Sequence, residues 1–240
     1  MRWTGALYFL LAAAPFCWGQ VHSTEQEVHM WTDFETALVG PQPVAQQSIV
    51  TSDPRVSVAA LRHKTPGKAL AAFSRGVKLA GAGDLRRAAH EFARAVTIDP
   101  NYADAHANLG VTYIGLTLPD LAANELRRAI ELDPDSTYHH QNLAVALILL
   151  RFPTEAEQEA RAAVDRDHTN PKARYLLGTM QSLHPETHGE AAENLEYVAR
   201  QMPEAHLVLA DMYRREGAEA RAQAEREQYR EAILDSVNGR

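Results

Sequence analysis

The chain has 240 residues, 45% of them hydrophobic and 23% charged, which is enough to bury a core and excludes gross disorder and a multi-pass membrane fold. Its 24 basic and 31 acidic side chains leave a net charge of −7, which argues against nucleic acid as a main partner, because phosphate binding needs a concentrated positive face. A single cysteine, Cys17, excludes intramolecular disulfides and Cys-based zinc sites, and abundant alanine with only 7% aromatics suits close-packed helices better than strands.

At the start of the chain, Arg2 precedes a mostly apolar run from Ala6 to Trp18, followed by small and polar residues. This is the order of a secretory signal peptide, and the run is too short for a spanning helix, which needs about 20 apolar residues. Residues 1–19 are therefore expected to be a signal peptide cut near Gly19, which makes the protein periplasmic or secreted. Two alternatives stay open: an uncleaved anchor that holds the protein at the membrane facing the periplasm, and a lipoprotein acylated on Cys17, which bulky Phe16 disfavours. Membrane contact is otherwise not expected. Residues 20–65 carry Pro41, Pro43 and Pro54 among polar residues without a sustained period, and read as a flexible linker. Val56-Ser57-Val58-Ala59 could add a strand-like contact, and Arg62, His63, Lys64 and Lys68 read as solvated charge.

From about residue 66 the sequence repeats itself every 34 residues. Gly76, Gly110, Ala144 and Gly178 fall in register, as do Ala88, Ala122 and Ala156, then Ala95, Ala129 and Ala163, then Asp99, Asp133 and Asp167. The units are about 69–102, 103–136, 137–170, 171–203 with one inserted residue near 184–189, and a degenerate 204–236. In the second unit, Ala105, Leu109, Thr112 and Tyr113 keep helical spacing, Leu116 to Pro119 make a turn, and Leu121 to Ile130 continue on a second helix. Pro119 and Pro153 sit just inside second helices, where the missing N–H does no harm. Small residues at fixed places let two helices approach closely. The helix over 218–235 is expected to cap the stack, with Ala222, Tyr229 and Ile233 inward and Arg221, Glu225, Arg226 and Arg230 outward.

Leu109-Gly110, Tyr113, Ala122, Leu126, Ala129 and Pro134 resemble the tetratricopeptide repeat family, and the resemblance covers about Ala69 to Asp235. It implies an all-α, right-handed superhelical solenoid of about four to five helix-turn-helix units. Where the family often carries a large aromatic early in the first helix, this chain has Ala72, His106, His140 and Arg174, and His168 replaces a terminal proline.

Catalytic and metal-binding patterns are weak. His184 and His188 flank Pro185 in a turn that gives no rigid helix to hold two ligands, so both read as solvated. His106 and His140 share the repeat register and read as packing between helices. No phosphate-binding glycine loop or nucleophile elbow is present, Glu155, Glu157 and Glu159 read as a solvated helix start, and no cofactor is implied.

The resemblance also implies that first helices line a concave groove. The residues it assigns to that groove are Asp104, Asn108, Val111, Tyr138, Gln141, Asn142, Val145, Lys172 and Tyr175. Asparagine both donates and accepts, so Asn108 and Asn142, one repeat apart, could hold a peptide backbone; alternatively they only brace neighbouring helices. The expected function is an exported scaffold or adaptor that binds a protein or extended peptide, without enzymatic activity. A His-dependent metal-binding protein or hydrolase on a helical scaffold is the second reading.

Overall fold

The computed structural model describes residues 63–237; the expected signal peptide with its alternatives, the linker as far as Arg62 and the Val56–Ala59 contact lie outside them. Within these residues the chain is ten α-helices without a strand: α1 Gly67–Gly81, α2 Leu85–Ile98, α3 Ala103–Gly115, α4 Pro119–Leu132, α5 Thr137–Leu149, α6 Pro153–Arg166, α7 Pro171–Gln181, α8 His188–Val198, α9 Glu204–Arg215 and α10 Glu219–Val237. They pair as five antiparallel hairpins, and each hairpin packs on the next, so the all-α solenoid expected from the repeat is the fold observed. No helix among the described residues is long and apolar enough to cross a membrane.

The 34-residue period has a physical basis at each stage. Asp84 and Asn170 cap helices by accepting from the backbone N–H of Arg87 and Ala173, while Pro119, Pro153 and Pro171 open helices at positions where no donor is lost. Four hairpins close by the same turn, in which a backbone N–H reaches back five residues: Asp84 to Leu79, Leu118 to Tyr113, Phe152 to Leu147 and Ala218 to Tyr213, all at 2.9 Å. This Schellman-type closure needs a left-handed residue just before the donor, supplied by Gly83, Thr117, Arg151 and Gly217 with φ between 58° and 80°. In the fourth hairpin that place falls on Pro185, whose ring forbids positive φ. The chain instead makes a short 3₁₀ turn, Pro185–Thr187, which accounts for the inserted residue there.

The core lies between the two helices of each hairpin and continues into the next. The second helices bury only narrow stripes, such as Ala122, Ala123, Leu126 and Ala129 of α4, and expose the rest to water. The repeated small residues sit where backbones come close: a Cβ built on Gly76 would lie 2.6 Å from the Phe92 ring, on Gly110 2.6 Å from Leu126 Cγ, and on Gly178 2.8 Å from Leu195 Cγ.

Three expectations change in detail. Of the cap residues expected to face inward, Ala222 is buried and Tyr229 half-buried, but Ile233 is exposed, because α10 has a hairpin partner on one side only. Glu225, expected outside, instead turns inward to His206 at 2.7 Å. In the basic cluster before α1, His63 is bonded through Nε2 to Asp99 at 2.7 Å rather than merely solvated.

Candidate functional site

The first helices α3, α5 and α7 lie side by side, α3 touching α5 and α5 touching α7. The repeat sets their side chains in columns. Asp104, Tyr138 and Lys172 form one column at the first turn, and Gln141 and Tyr175 form the next. Asn108 and Asn142 follow, then Val111 and Val145. Steps of three and four residues put all nine on one face of their helices. The asparagine column stops at two rungs, because the next equivalent position is Leu176.

This face is not an open shelf. Asn108, Val111, Gln141, Asn142, Val145 and Tyr175 are buried, and only Asp104, Tyr138 and Lys172 reach solvent, each half-buried. Eleven of the thirteen residues of α5 are buried, against three of the fourteen in α6, so α5 is enclosed on nearly every side. Asn108 Nδ2 donates to the Asp104 carbonyl of its own helix at 2.8 Å, which is a bracing bond. Burial pushes the Tyr175 phenol up, with the charge of Glu204 adding to it and a Thr179 hydrogen bond opposing. Burial also pulls the Lys172 ammonium down. In such a low-dielectric setting each polar contact is stronger than in water, and each broken one costs more.

A second set of residues was not anticipated as a set. His106 Nδ1 lies 2.7 Å from Glu125 Oε2 while its Nε2 lies 3.1 Å from the Pro100 carbonyl. His140 repeats both contacts with Glu159 at 2.6 Å and the Pro134 carbonyl at 3.1 Å. Arg174 takes the same place in the fourth hairpin, donating to Asn194 Oδ1 at 2.9 Å and to the His168 carbonyl at 2.5 Å. A fourth instance pairs His206 with Glu225. His106, His140 and Arg174 are positions at which the sequence departs from the aromatic residue of the resembled family. The signal was present as a His-to-Glu spacing of 19 residues that recurs three times.

Both nitrogens of His106 and of His140 lie within hydrogen-bond distance of oxygen atoms, so both rings are engaged by their own surroundings. His184 is exposed as expected. His188 is not: it begins α8, is largely buried, and contacts Glu216 and the Ser182 carbonyl, because the 3₁₀ turn folds it back under the helix. Among the described residues no three His, Cys, Asp or Glu side chains converge on a point that could hold a metal ion.

Against known proteins, residues 79–144 match the tetratricopeptide repeat family. No curated protein matches the chain. Among solved structures it is similar to MamA, at 22% identity and a TM-score of 0.60, over 68% of this chain and 96% of that one. It is also similar to YrrB, described as a tetratricopeptide repeat protein with an unusual peptide-binding site, at 17% identity and a TM-score of 0.60, over 76% of this chain and 96% of that one. A third likeness is to PilF of Pseudomonas aeruginosa, at 26% identity and a TM-score of 0.59, over 69% of this chain and 76% of that one. Residues 79–144 thus carry the tetratricopeptide repeat pattern, and hairpins of the same geometry run on either side of them from Gly67 to Val237.

Proposed function

We propose that this protein is an exported, non-enzymatic scaffold that holds an extended segment of a partner protein against α3, α5 and α7. The observation that carries the reading is the column of Asp104, Tyr138 and Lys172. These are an acid, an amphipathic ring and a base, one per hairpin, at the solvent edge of a face otherwise buried. A peptide laid across successive hairpins would meet this rim first. The amides of Asn108, Gln141 and Asn142 lie behind it and could take up backbone groups. YrrB, of like fold, is named for a peptide-binding site, and tetratricopeptide repeats in general support protein-interaction scaffolds. Export rests on Arg2 and the apolar run from Ala6 to Trp18.

The test has two parts. Peptides selected on the wild-type chain from a random display library should lose affinity for Tyr138→Ala and keep it for Glu227→Ala on α10. Selected peptides indifferent to Tyr138 would overturn the site. N-terminal mass spectrometry of the protein from its own cells should find a mature chain beginning near Gln20 in the envelope or medium. A chain with intact Met1 in the cytosol would overturn export.

A further inference from the structure

The charge of this chain is unevenly distributed. Over 103–237 there are 13 basic and 23 acidic side chains, a net −10. The first hairpin, Gly67–Ile98, runs the other way: Lys68, Arg75, Lys78, Arg86, Arg87 and Arg94 face only Asp84 and Glu91, a net +4. All six of these cations are exposed. A chain that is acidic elsewhere has concentrated its positive charge on one element.

That charge surrounds a cavity. Between the second half of α1 and the first turns of α2 lies a surface pocket of about 290 Å³, lined by Arg75, Lys78, Leu79, Arg87, His90 and Glu91. Its one carboxylate is already engaged: Glu91 accepts from Arg75 Nε at 2.9 Å and has Arg94 at 3.9 Å. Asp84, outside the lining, is the N-cap of α2, accepting from the Arg87 backbone N–H at 3.1 Å and from its guanidinium at 3.4 Å. Lys78 and Arg86 reach no carboxylate among the described residues. The pocket thus has a positive wall in excess of its internal anions and an apolar floor at Leu79. Lys78 and Arg86, which have no such partner, add to a local positive excess that raises the potential and attracts an anion.

We propose that the α1–α2 pocket is a second binding site, separate from the α3–α5–α7 face, and that it takes a glutamate- and aspartate-rich segment of a partner protein. The two arginines and the lysine bind carboxylates at the rim, and Leu79 contacts the methylene groups of the acidic side chains. Two contacts on one scaffold, an extended segment on the face and an acidic segment at the first hairpin, would raise avidity through effective concentration.

The probe is a fluorescein-labelled octaglutamate peptide, titrated with the full chain and followed by anisotropy at about 0.02 M and about 0.5 M NaCl, across which screening of exposed charges shortens several-fold. Octaglutamate should bind at low salt and octaglutamine should not. The double variant Lys78→Glu, Arg87→Glu should weaken octaglutamate by about 10-fold or more, since like-charge juxtaposition opposes association. Arg200→Glu, an exposed cation outside this hairpin, should change it by less than about 2-fold, the surface value. Circular dichroism melting of each variant checks the fold. Should the double variant not fold, the single neutral changes Lys78→Gln and Arg87→Gln are titrated in its place, and each should still weaken binding. Octaglutamate affinity unchanged by Lys78 and Arg87 would overturn the proposal. So would equal binding of octaglutamine, or binding of phosphatidylglycerol vesicles without binding of the peptide. Self-association of the chain in sedimentation that vanishes in the same variants would assign the hairpin to a second copy and also overturn it.

Discussion

Gly110 and Leu126 form a matched pair: the absent side chain of one is the space the other fills, since a Cβ at 110 would lie 2.6 Å from Leu126 Cγ. The relation recurs as Gly76 with Phe92 and as Gly178 with Leu195. In the third hairpin both members change together, to Ala144 and Ala160, each fully buried. In these four hairpins the bulky member is thus present only where its partner is glycine.

Gly110→Ala should consequently destabilise the chain by about 1–3 kcal/mol, the range for overpacking a close contact. Leu126→Ala alone should cost about 2–5 kcal/mol through the cavity it leaves. The double variant reproduces the natural third-hairpin pair and should be more stable than the sum of the single changes predicts. Chemical denaturation of the four proteins measures the coupling, and strict additivity would contradict the pairing.

The buried histidines give a second prediction. His140→Ala removes a ring bonded to the Glu159 carboxylate, a contact of the kind worth about 1.5–3 kcal/mol, while the Pro134 carbonyl keeps its hydrogen bond from Arg166 Nε. His140→Phe, which restores the aromatic of the resembled family, supplies area but no donor and should recover only part of that loss. Melting curves of both variants decide this, and a His140→Ala protein as stable as wild type would show that the pair contributes nothing.

Much of this was legible in the sequence, and the reason is the period. Gly76, Gly110 and Gly178 recur because helix approach is a local steric demand repeated in each hairpin, so self-comparison exposes it. Proline positions and helix ends are equally local. The His140–Glu159 pair was less legible, since a histidine reads alike whether it packs, ligates or ionises until its partner from the second helix is known. His188 was misread as solvated because its burial depends on the 3₁₀ turn that Pro185 forces, and Ile233 was misread as inward because α10 lacks a following hairpin. Burial of the Asn108 and Asn142 face was not visible at all, since it reflects enclosure by distant elements rather than helical spacing.

The hairpin turns supply a third prediction. Thr117 and Arg151 hold φ of 58° and 64°, where a side chain costs about 1–2 kcal/mol and glycine costs nothing. Thr117→Gly and Arg151→Gly should each raise the melting temperature by a few degrees, after the entropy that glycine adds to the unfolded chain is deducted. Thr117→Pro should lower it sharply. Calorimetry of the three variants checks the sign, and stabilisation by proline would refute the left-handed turn.

The last helix supplies a fourth. Truncation after Gly217 removes Ala222 and Glu225 and uncovers Leu209 and Met212, which are nearly inaccessible in the intact chain. Burial of each such side chain is worth about 1.5–3 kcal/mol, so the shortened protein should melt earlier and bind a hydrophobic dye. Unchanged melting would mean that α10 does not cap the stack.

The central claim, that the α3–α5–α7 face recognises a partner segment rather than only bracing helices, is tested most directly on Asn108 and Asn142. Affinity for a display-selected peptide and melting temperature should both be measured on the wild type and on the double variant Asn108→Ala, Asn142→Ala. Loss of a backbone hydrogen bond in a dry site costs about 1–3 kcal/mol, so the account predicts affinity about 10-fold weaker or more with most of the helical stability retained. A lowered melting temperature with unchanged affinity would contradict it and leave the asparagines as braces.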